Sequence, residues 1–272
     1  MVIANVLALQ NDMKSDNATM TQLEPFGLLV TAAPVGSHPR TISAADLNQW
    51  VDKHRIVILR DFALLAPTEL PEFGQQFGEL LEWEFGAVNE LRVQTDARNY
   101  LYTNRAVPFH WDGAFIGRVP RYIVFVCDIA PRVGGETLFC DTIRVLNNAP
   151  ADLIDAWRRI EITYTTEKLT HYGGTFTSSL ITRHPGTGQE LMRFAEPVTD
   201  LNPVELEIRG IPVAHQQDFL SDMHRRLNDD AVCYRHAWHA GDLLIADNRV
   251  LLHGRHEFPE AGERHLRRVN VV

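Results

Sequence analysis

Short apolar runs dominate the pattern of hydrophobic and polar positions from about residue 90 onward, and they predict strands rather than helices. Residues 122–127, and the earlier segment 55–59, are almost unbroken runs of β-branched, aliphatic and aromatic side chains. A run without alternation is typical of a strand that is buried on both faces. Further strands are predicted at 137–140 after a Gly134-Gly135 turn, at 243–246 and 266–272, and as a hairpin over 181–192.

Helical patterns are fewer, and caps and prolines mark where they begin. Ser43 precedes Leu47 and Trp50, so its hydroxyl is predicted to cap the start of a helix. Other helices are predicted at 68–77 and 150–159, each with a proline in its first turn, and at 212–227. Many short strands with few helices predict an α+β, mainly β chain. Its core would be a double-stranded β-helix, or jelly-roll barrel, decorated with helices.

The chain of 272 residues is long enough for one such domain. We expect the domain to span residues 21–272, after an N-terminal arm at 1–20. A Ser/Thr-rich stretch around His171 and Tyr172 is interpreted as a flexible lid insertion, near 165–200, over a pocket at the barrel mouth.

Net charge and cysteine content limit the classes of binding partner and the cellular compartment that we expect. The net charge of −9 argues against nucleic acid, which needs a basic footprint. The N-terminal apolar stretch is short and lacks a basic segment, so neither a secretory signal nor a membrane span is expected. Three cysteines without a CxxC pair are typical of buried thiols in a reducing cytoplasm. These features predict a cytoplasmic protein with a small-molecule partner, and leave a homo-oligomer open.

Candidate chemistry lies in the run His110-Trp111-Asp112 and in the distant His253. Residues i and i+2 of a strand point to the same side, so His110 and Asp112 can reach one ion together. Two imidazoles and one carboxylate on one face of a metal form the facial triad of non-heme Fe(II) oxygenases. A single H-x-D motif is weak evidence for a metal site, because a structural histidine beside a surface aspartate is common. His236 and His239 are interpreted as structural or surface residues.

Basic residues concentrate after the third histidine of this set, at 255–268. In a closing strand, Arg264, Leu266 and Arg268 would share a face, where a guanidinium can bind a carboxylate through paired hydrogen bonds. A 2-oxo diacid cosubstrate needs such a cation for its distal carboxylate. Three other interpretations remain: a solvated basic surface, a zinc-dependent hydrolase or lyase with the same ligands, and a non-catalytic barrel that binds a small molecule.

The chain resembles the taurine dioxygenase (TauD/TfdA) family of Fe(II)/2-oxoglutarate dioxygenases from about residue 24 to its end. The motifs are Phe109 to Asp112, Gly134 to Phe139, His184 to Gly188, Gly241 to Arg249, His253, and Arg264 to Arg268. The resemblance implies Fe(II) at His110, Asp112 and His253, with O2 as co-reactant. It also implies that Arg264 and Thr137 bind 2-oxoglutarate and that Arg268 meets an anionic group of the substrate.

Two features bear on the substrate. Many family members carry Trp where this chain has Ala246, which would either enlarge a pocket wall or repack the core. The amino-acid sequence around His110 resembles that of a subgroup that acts in secondary metabolism on an isonitrile derivative of tyrosine. This resemblance implies desaturation of the substrate with loss of its carboxylate. An aromatic carboxylate would suit Arg268 with Tyr102, Trp111 and Phe115, although these rings could equally be barrel packing. The alternative is a hydroxylase of a sulfonate, amino acid or other small anion.

Overall fold

The fold is mainly β, with two sheets that face each other. A computed structural model describes residues 14–15, 18–83, 86–169, 172–260 and 262–272. The strands are β1 (Lys14–Ser15), β2 (Ala18–Gln22), β3 (Leu28–Ala32), β4 (Ile56–Arg60), β5 (Asn89–Arg92), β6 (Val107–His110), β7 (Tyr122–Ile129), β8 (Thr137–Asp141), β9 (Glu161–Leu169), β10 (Tyr172–Ser179), β11 (Ile181–Arg183), β12 (Glu190–Met192), β13 (Val204–Arg209), β14 (Cys233–His236), β15 (Leu243–Asp247), β16 (Leu251–Arg255) and β17 (His265–Val271). The helices are α1 (Ala44–His54), α2 (Glu69–Gly74), α3 (Thr142–Asn147), α4 (Ala151–Trp157) and α5 (Val213–Leu227).

The larger sheet has the strand order β1-β2-β3-β4-β15-β7-β17-β5, and the smaller one β14-β8-β16-β6. The β3–β4 pair is parallel, whereas the strands that carry the site pair antiparallel. Between the sheets lies a core to which the larger sheet contributes Phe125 and Leu266 and the smaller one Phe139 and Leu251. Burial on this inner face makes one side of the central strands apolar.

Each sheet also packs on its outer face. Helices α1 and α2 cover the larger sheet, where Leu47 and Phe73 pack against Val124 and Ile245. Helix α5 and a three-stranded sheet in the order β10-β9-β13 cover the smaller one. Strands β7 and β15 are therefore buried on both faces, as the sequence predicts. None of the described helices is long and apolar enough to span a membrane.

Most predicted elements are confirmed, with corrections at their ends. Ser43 caps α1 by accepting a hydrogen bond from the backbone N–H of Asp46. The predicted helix at 68–77 is shorter, because α2 covers only Glu69–Gly74, and Pro150 is the N-cap residue of α4 rather than its first helical residue. The predicted hairpin at 181–192 is β11 paired with β12. Cys127, Cys140 and Cys233 are buried free thiols, as expected.

The Ser/Thr-rich stretch, interpreted from the sequence as a flexible lid, forms an antiparallel hairpin of β9 and β10 with a register shift between Tyr172 and Gly174. Its threonines are β-branched and pair across the strands, as the 2.9 Å contact between the hydroxyl oxygens of Thr163 and Thr177 shows. His171 and the side chain of Tyr172 lie outside the described residues. So does most of the predicted N-terminal arm, although its residues 18–20 belong to β2.

Candidate active site

Pairing of β6 with β16 places the two candidate histidines side by side. His110 is the last residue of β6, and it is the register partner of His253 in β16. Their ring centroids are 4.2 Å apart. Asp112 follows two residues after the end of β6. Ligand atoms of His110, Asp112 and His253 all lie within 4.8 Å of one another, so the structure brings the predicted triad together.

The protonation of these three side chains suits a metal. Burial lowers the pKa of both imidazoles, so they are neutral at pH 7. Nδ1 of His110 lies 2.9 Å from the carbonyl oxygen of Pro108; with the proton on Nδ1, the Nε2 lone pair is left for the triad. Both ring nitrogens of His253 are buried without a hydrogen-bond partner among the described residues. A neutral, unpartnered and buried imidazole is what a metal ligand looks like without its ion.

Asp112 is held from its backbone and from one carboxylate oxygen. Oδ1 of Asn248 accepts the Asp112 N–H at 3.0 Å, and Nδ2 of Asn248 donates to the Asp112 carbonyl at 3.1 Å. Oδ2 of Asp112 lies 3.0 Å from Nη1 of Arg268 and accepts from Nδ2 of Asn270 at 2.8 Å. Although burial raises the pKa of the Asp112 carboxyl, the Arg268 charge and the hydrogen bond from Asn270 outweigh it and hold this pKa at about 2.

A small cavity of about 40 Å³ beside His253 ends at Arg264. Nε of Arg264 donates to the Gly135 carbonyl and Nη2 to Oγ1 of Thr137 at 3.1 Å. Burial lowers the pKa of the Arg264 guanidinium to about 9, which leaves it charged at pH 7. Arg264 forms no ion pair with any acidic side chain in the described part of the chain. A buried cation without a carboxylate is costly, so its partner is expected to come from a ligand.

Thr137 is oriented to donate. Its Oγ1 accepts from Arg264 and also from Nε1 of Trp238, at 2.9 Å. Two donors use both lone pairs of a hydroxyl oxygen, so the hydroxyl hydrogen is left for a third group. Arg264 and Arg268 both line the small cavity, although Arg264 lies just before β17 rather than within the closing strand, as was expected. Arg267 lies on the other face, where it forms a paired contact with Asp128.

A larger cavity of about 370 Å³ adjoins the triad on its other side. Its lining includes His110, Asp112, Arg268, Tyr102, Trp111 and Phe115. Trp111 also packs edge-on against Tyr164, so it serves both the cavity wall and the core. The Tyr102 hydroxyl donates to Oδ1 of Asn89 at 3.2 Å.

The structure qualifies two expectations about the substrate pocket. Arg268 lines both cavities, but its Nη1 is engaged with Asp112, so its guanidinium is not free for a substrate as a whole. Its Nε is buried without a partner among the described residues. Ala246 lies in the core between the two sheets and lines neither cavity. The absence of Trp at this position therefore repacks the core and does not enlarge the pocket.

Comparison with known proteins agrees with this geometry. The profile of the taurine catabolism dioxygenase TauD, TfdA family matches residues 24–270. The chain belongs to this family. A 3-((Z)-2-isocyanoethenyl)-1H-indole synthase from Fischerella ambigua is 43% identical over 265 residues, which cover 95% of this chain and 97% of that enzyme. A tyrosine isonitrile desaturase from Pseudomonas aeruginosa is 36% identical over 254 residues, which cover 90% of this chain and 87% of that enzyme.

The solved structure of PvcB, an Fe, alpha-ketoglutarate dependent oxygenase from an isonitrile synthetic pathway, superposes with a TM-score of 0.80. The two chains are 32% identical, and the match covers 96% of this chain and 94% of PvcB. The expected family is therefore confirmed, and the isonitrile subgroup is represented among the relatives.

Three polar residues at the site were missed from the sequence. Asn248 lies within a motif that was noted, but nothing in the motif tells that its amide holds Asp112. Asn270 stands two residues after Arg268, so strand alternation could have placed it on the same face. Glu196 accepts the backbone N–H of Phe109, next to His110, at 2.9 Å. It comes from a distant loop and has no local signal.

Gly254 controls the distance between the two histidine strands. A Cβ atom at this position would lie 2.7 Å from the backbone oxygen of Val107 in β6. Gly254→Ala must therefore push β16 away from β6 and separate His253 from His110. We expect iron affinity to fall by roughly 10- to 100-fold, as when a metal ligand loses its support. Equilibrium dialysis with Fe(II) measures this.

Gly186→Ala is the matched control for this prediction. Its added Cβ would meet only the His184 ring, at 3.4 Å, in an exposed turn. Iron affinity should stay at the wild-type value in this variant. Equal iron affinity in Gly254→Ala and wild type would show that the strand spacing does not set the site.

Proposed function

We propose that the protein is an Fe(II)- and 2-oxoglutarate-dependent oxygenase that desaturates an isonitrile derived from an aromatic amino acid, with loss of the carboxylate. The observation that carries this is the cluster of His110, Asp112 and the buried His253 beside Arg264, a buried cation with no acidic partner among the described residues. The similarity to an indole isonitrile synthase and to a tyrosine isonitrile desaturase supports the substrate class.

The donor set fits iron. Two neutral imidazoles and an ionised carboxylate are the facial triad, and they leave further positions for other ligands. When bound, the iron with 2-oxoglutarate and O2 supplies the oxidation of an unactivated C–H bond. In the overall reaction, the substrate loses CO2 and two hydrogen atoms to become a vinyl isonitrile. 2-Oxoglutarate and O2 become succinate, a second CO2 and water.

The chain's own residues bind and orient the two organic partners. Arg264 would hold the distal carboxylate of 2-oxoglutarate by a paired contact, with the Thr137 hydroxyl as a further donor. Arg268 would offer its unpartnered Nε to the substrate carboxylate, beside Asp112. Tyr102, Trp111 and Phe115 would enclose the aromatic ring in the larger cavity and exclude water from the reacting carbon.

The fold has a corresponding interpretation. We propose that the two facing sheets form the jelly-roll barrel of the family and that residues 21–272 act as one domain. The region near 165–200 would cover the larger cavity, because Phe176 of β10 packs against Trp111 and Ala195 and Glu196 line the cavity. The partner is a small molecule.

An anaerobic titration tests the cofactor part of the proposal. Fe(II) followed by 2-oxoglutarate should give a visible charge-transfer band, because the keto acid chelates the metal. Aerobic turnover with the isonitriles of tryptophan and tyrosine should then yield one vinyl isonitrile and one succinate per substrate. Succinate with an alcohol product would instead indicate the hydroxylase. Iron binding without the charge-transfer band would favour the zinc-dependent hydrolase or lyase, or the non-catalytic barrel that binds a small molecule.

A further inference from the structure

Asn270 contacts the candidate metal ligand and has no other assigned role. Its side chain is fully buried on β17, and Nδ2 donates to Oδ2 of Asp112 at 2.8 Å. We propose that Asn270 is a positioning residue that makes Asp112 bind iron through Oδ1 alone. The inference rests on the proposed function, and it concerns how many positions on the metal are left for 2-oxoglutarate and O2.

The two carboxylate oxygens of Asp112 have different surroundings. Oδ1 is the oxygen that faces the triad, at 3.8 Å from Nε2 of His253 and 4.0 Å from Nε2 of His110. Oδ2 points away and meets two donors, Asn270 and Arg268. A carboxylate oxygen offers about two lone pairs, so these two donors occupy Oδ2 completely. Only Oδ1 is left for an ion.

Arg268 alone would not keep this arrangement during a reaction. Its guanidinium lines both cavities and is the proposed partner of the substrate carboxylate, so Asp112 would share it with a bound substrate. The Asn270 amide has no such competitor: Nδ2 makes one hydrogen bond, to Asp112, and Oδ1 has no partner among the described residues. An amide that is buried for a single hydrogen bond needs an explanation other than packing.

The consequence concerns the open positions of the metal. A facial triad with a singly bound carboxylate leaves room for both donor atoms of 2-oxoglutarate and for O2. If both oxygens of Asp112 bound the ion, one of these positions would be lost. Loss of Asn270 is therefore expected to weaken the binding of 2-oxoglutarate and to leave the affinity for iron itself intact.

Asn270→Leu is the test variant, because leucine has a similar volume and no donor. It removes a buried acceptor that lacks a partner but also the hydrogen bond to the Asp112 carboxylate. A modest loss of folding stability is therefore expected, and thermal denaturation sets a temperature at which the variant is folded. Fe(II) affinity is measured by anaerobic equilibrium dialysis. The 2-oxoglutarate Kd is measured through the visible charge-transfer band of the iron-loaded protein. We expect iron affinity near wild type and a 2-oxoglutarate Kd at least about tenfold higher.

Two further variants complete the design. Asn48→Leu removes another side-chain amide, on α1 and at a distance from the triad, whose Oδ1 accepts a hydrogen bond from the Tyr122 hydroxyl. This variant should change neither the iron affinity nor the 2-oxoglutarate affinity. Asn270→Ala replaces the leucine variant if that one does not fold, and failure of both to fold would overturn the proposal in favour of a structural role.

The outcomes separate this inference from the function beneath it. A wild-type protein that binds iron without the charge-transfer band would defeat the proposed function. A wild-type band together with an unchanged 2-oxoglutarate Kd in Asn270→Leu would overturn only the role of Asn270. Loss of iron and 2-oxoglutarate binding together would also overturn it, because Asn270 would then support the whole site rather than the binding mode of one carboxylate.

Discussion

His253→Ala is expected to remove iron from the protein and to lower turnover by more than about 100-fold, beyond the range for losing a residue that only supports a ligand. His253 has no other described partner for either ring nitrogen, so its loss breaks no hydrogen bond and removes one of three metal donors. The remaining His110 and Asp112 leave iron with too few protein ligands to compete with water. Iron content after dialysis and succinate formation with O2 measure the two effects.

His236→Ala is the control for this prediction. His236 is as buried as His253, but its imidazole lies 3.1 Å from Asp242 and stacks edge-on against Trp238, away from the triad. This variant is expected to lose stability and to keep its iron below its melting temperature. If His253→Ala retained iron and formed succinate at the wild-type rate, the assignment of the third ligand would be wrong.

How much the sequence could predict depends on how local each signal is. Strands β7 and β15 were predictable because burial on both faces forces a continuous apolar run. The hairpin of β9 and β10 was not, because its threonines, serines and glycines are typical of loops as well. Helix α3 was missed because it starts directly after β8, and Asp141 both ends the strand and caps the helix.

The same distinction applies to the site. The spacing of two residues predicted that His110 and Asp112 meet, and they do, with Asp112 in the turn directly after β6. Arg264 and Arg268 line one cavity, but Arg264 precedes β17 and a register shift lies between His265 and Leu266, so strand alternation alone does not place them. The contacts of Asn248 and Asn270 with Asp112 cross between distant segments. No spacing in the sequence encodes such a meeting, because it depends on how the closing strand lies against the turn after β6.

Arg264→Ala is expected to raise the 2-oxoglutarate Kd by about 100-fold or more. Breaking a buried ion pair by removing one partner costs about 3–5 kcal/mol, and every 1.4 kcal/mol is about tenfold in affinity. The guanidinium is nearly inaccessible to water, so solvent cannot replace it at the ligand carboxylate. Iron affinity should stay near wild type, since Arg264 contacts Gly135 and Thr137 and none of the three metal ligands.

A graded series makes this prediction sharp. Arg264→Lys keeps the charge and loses the paired geometry, so its 2-oxoglutarate Kd should fall between wild type and alanine. Arg267→Ala removes an arginine three residues further along, whose side chain binds Asp128 instead of lining the small cavity, and should leave the Kd unchanged at a temperature where the protein is folded. An unchanged Kd in Arg264→Ala would assign the distal carboxylate of 2-oxoglutarate to Arg268 instead, which also lines the small cavity. Arg268 could not then hold the substrate carboxylate as well, and the decarboxylating reaction would need another cation in the larger cavity.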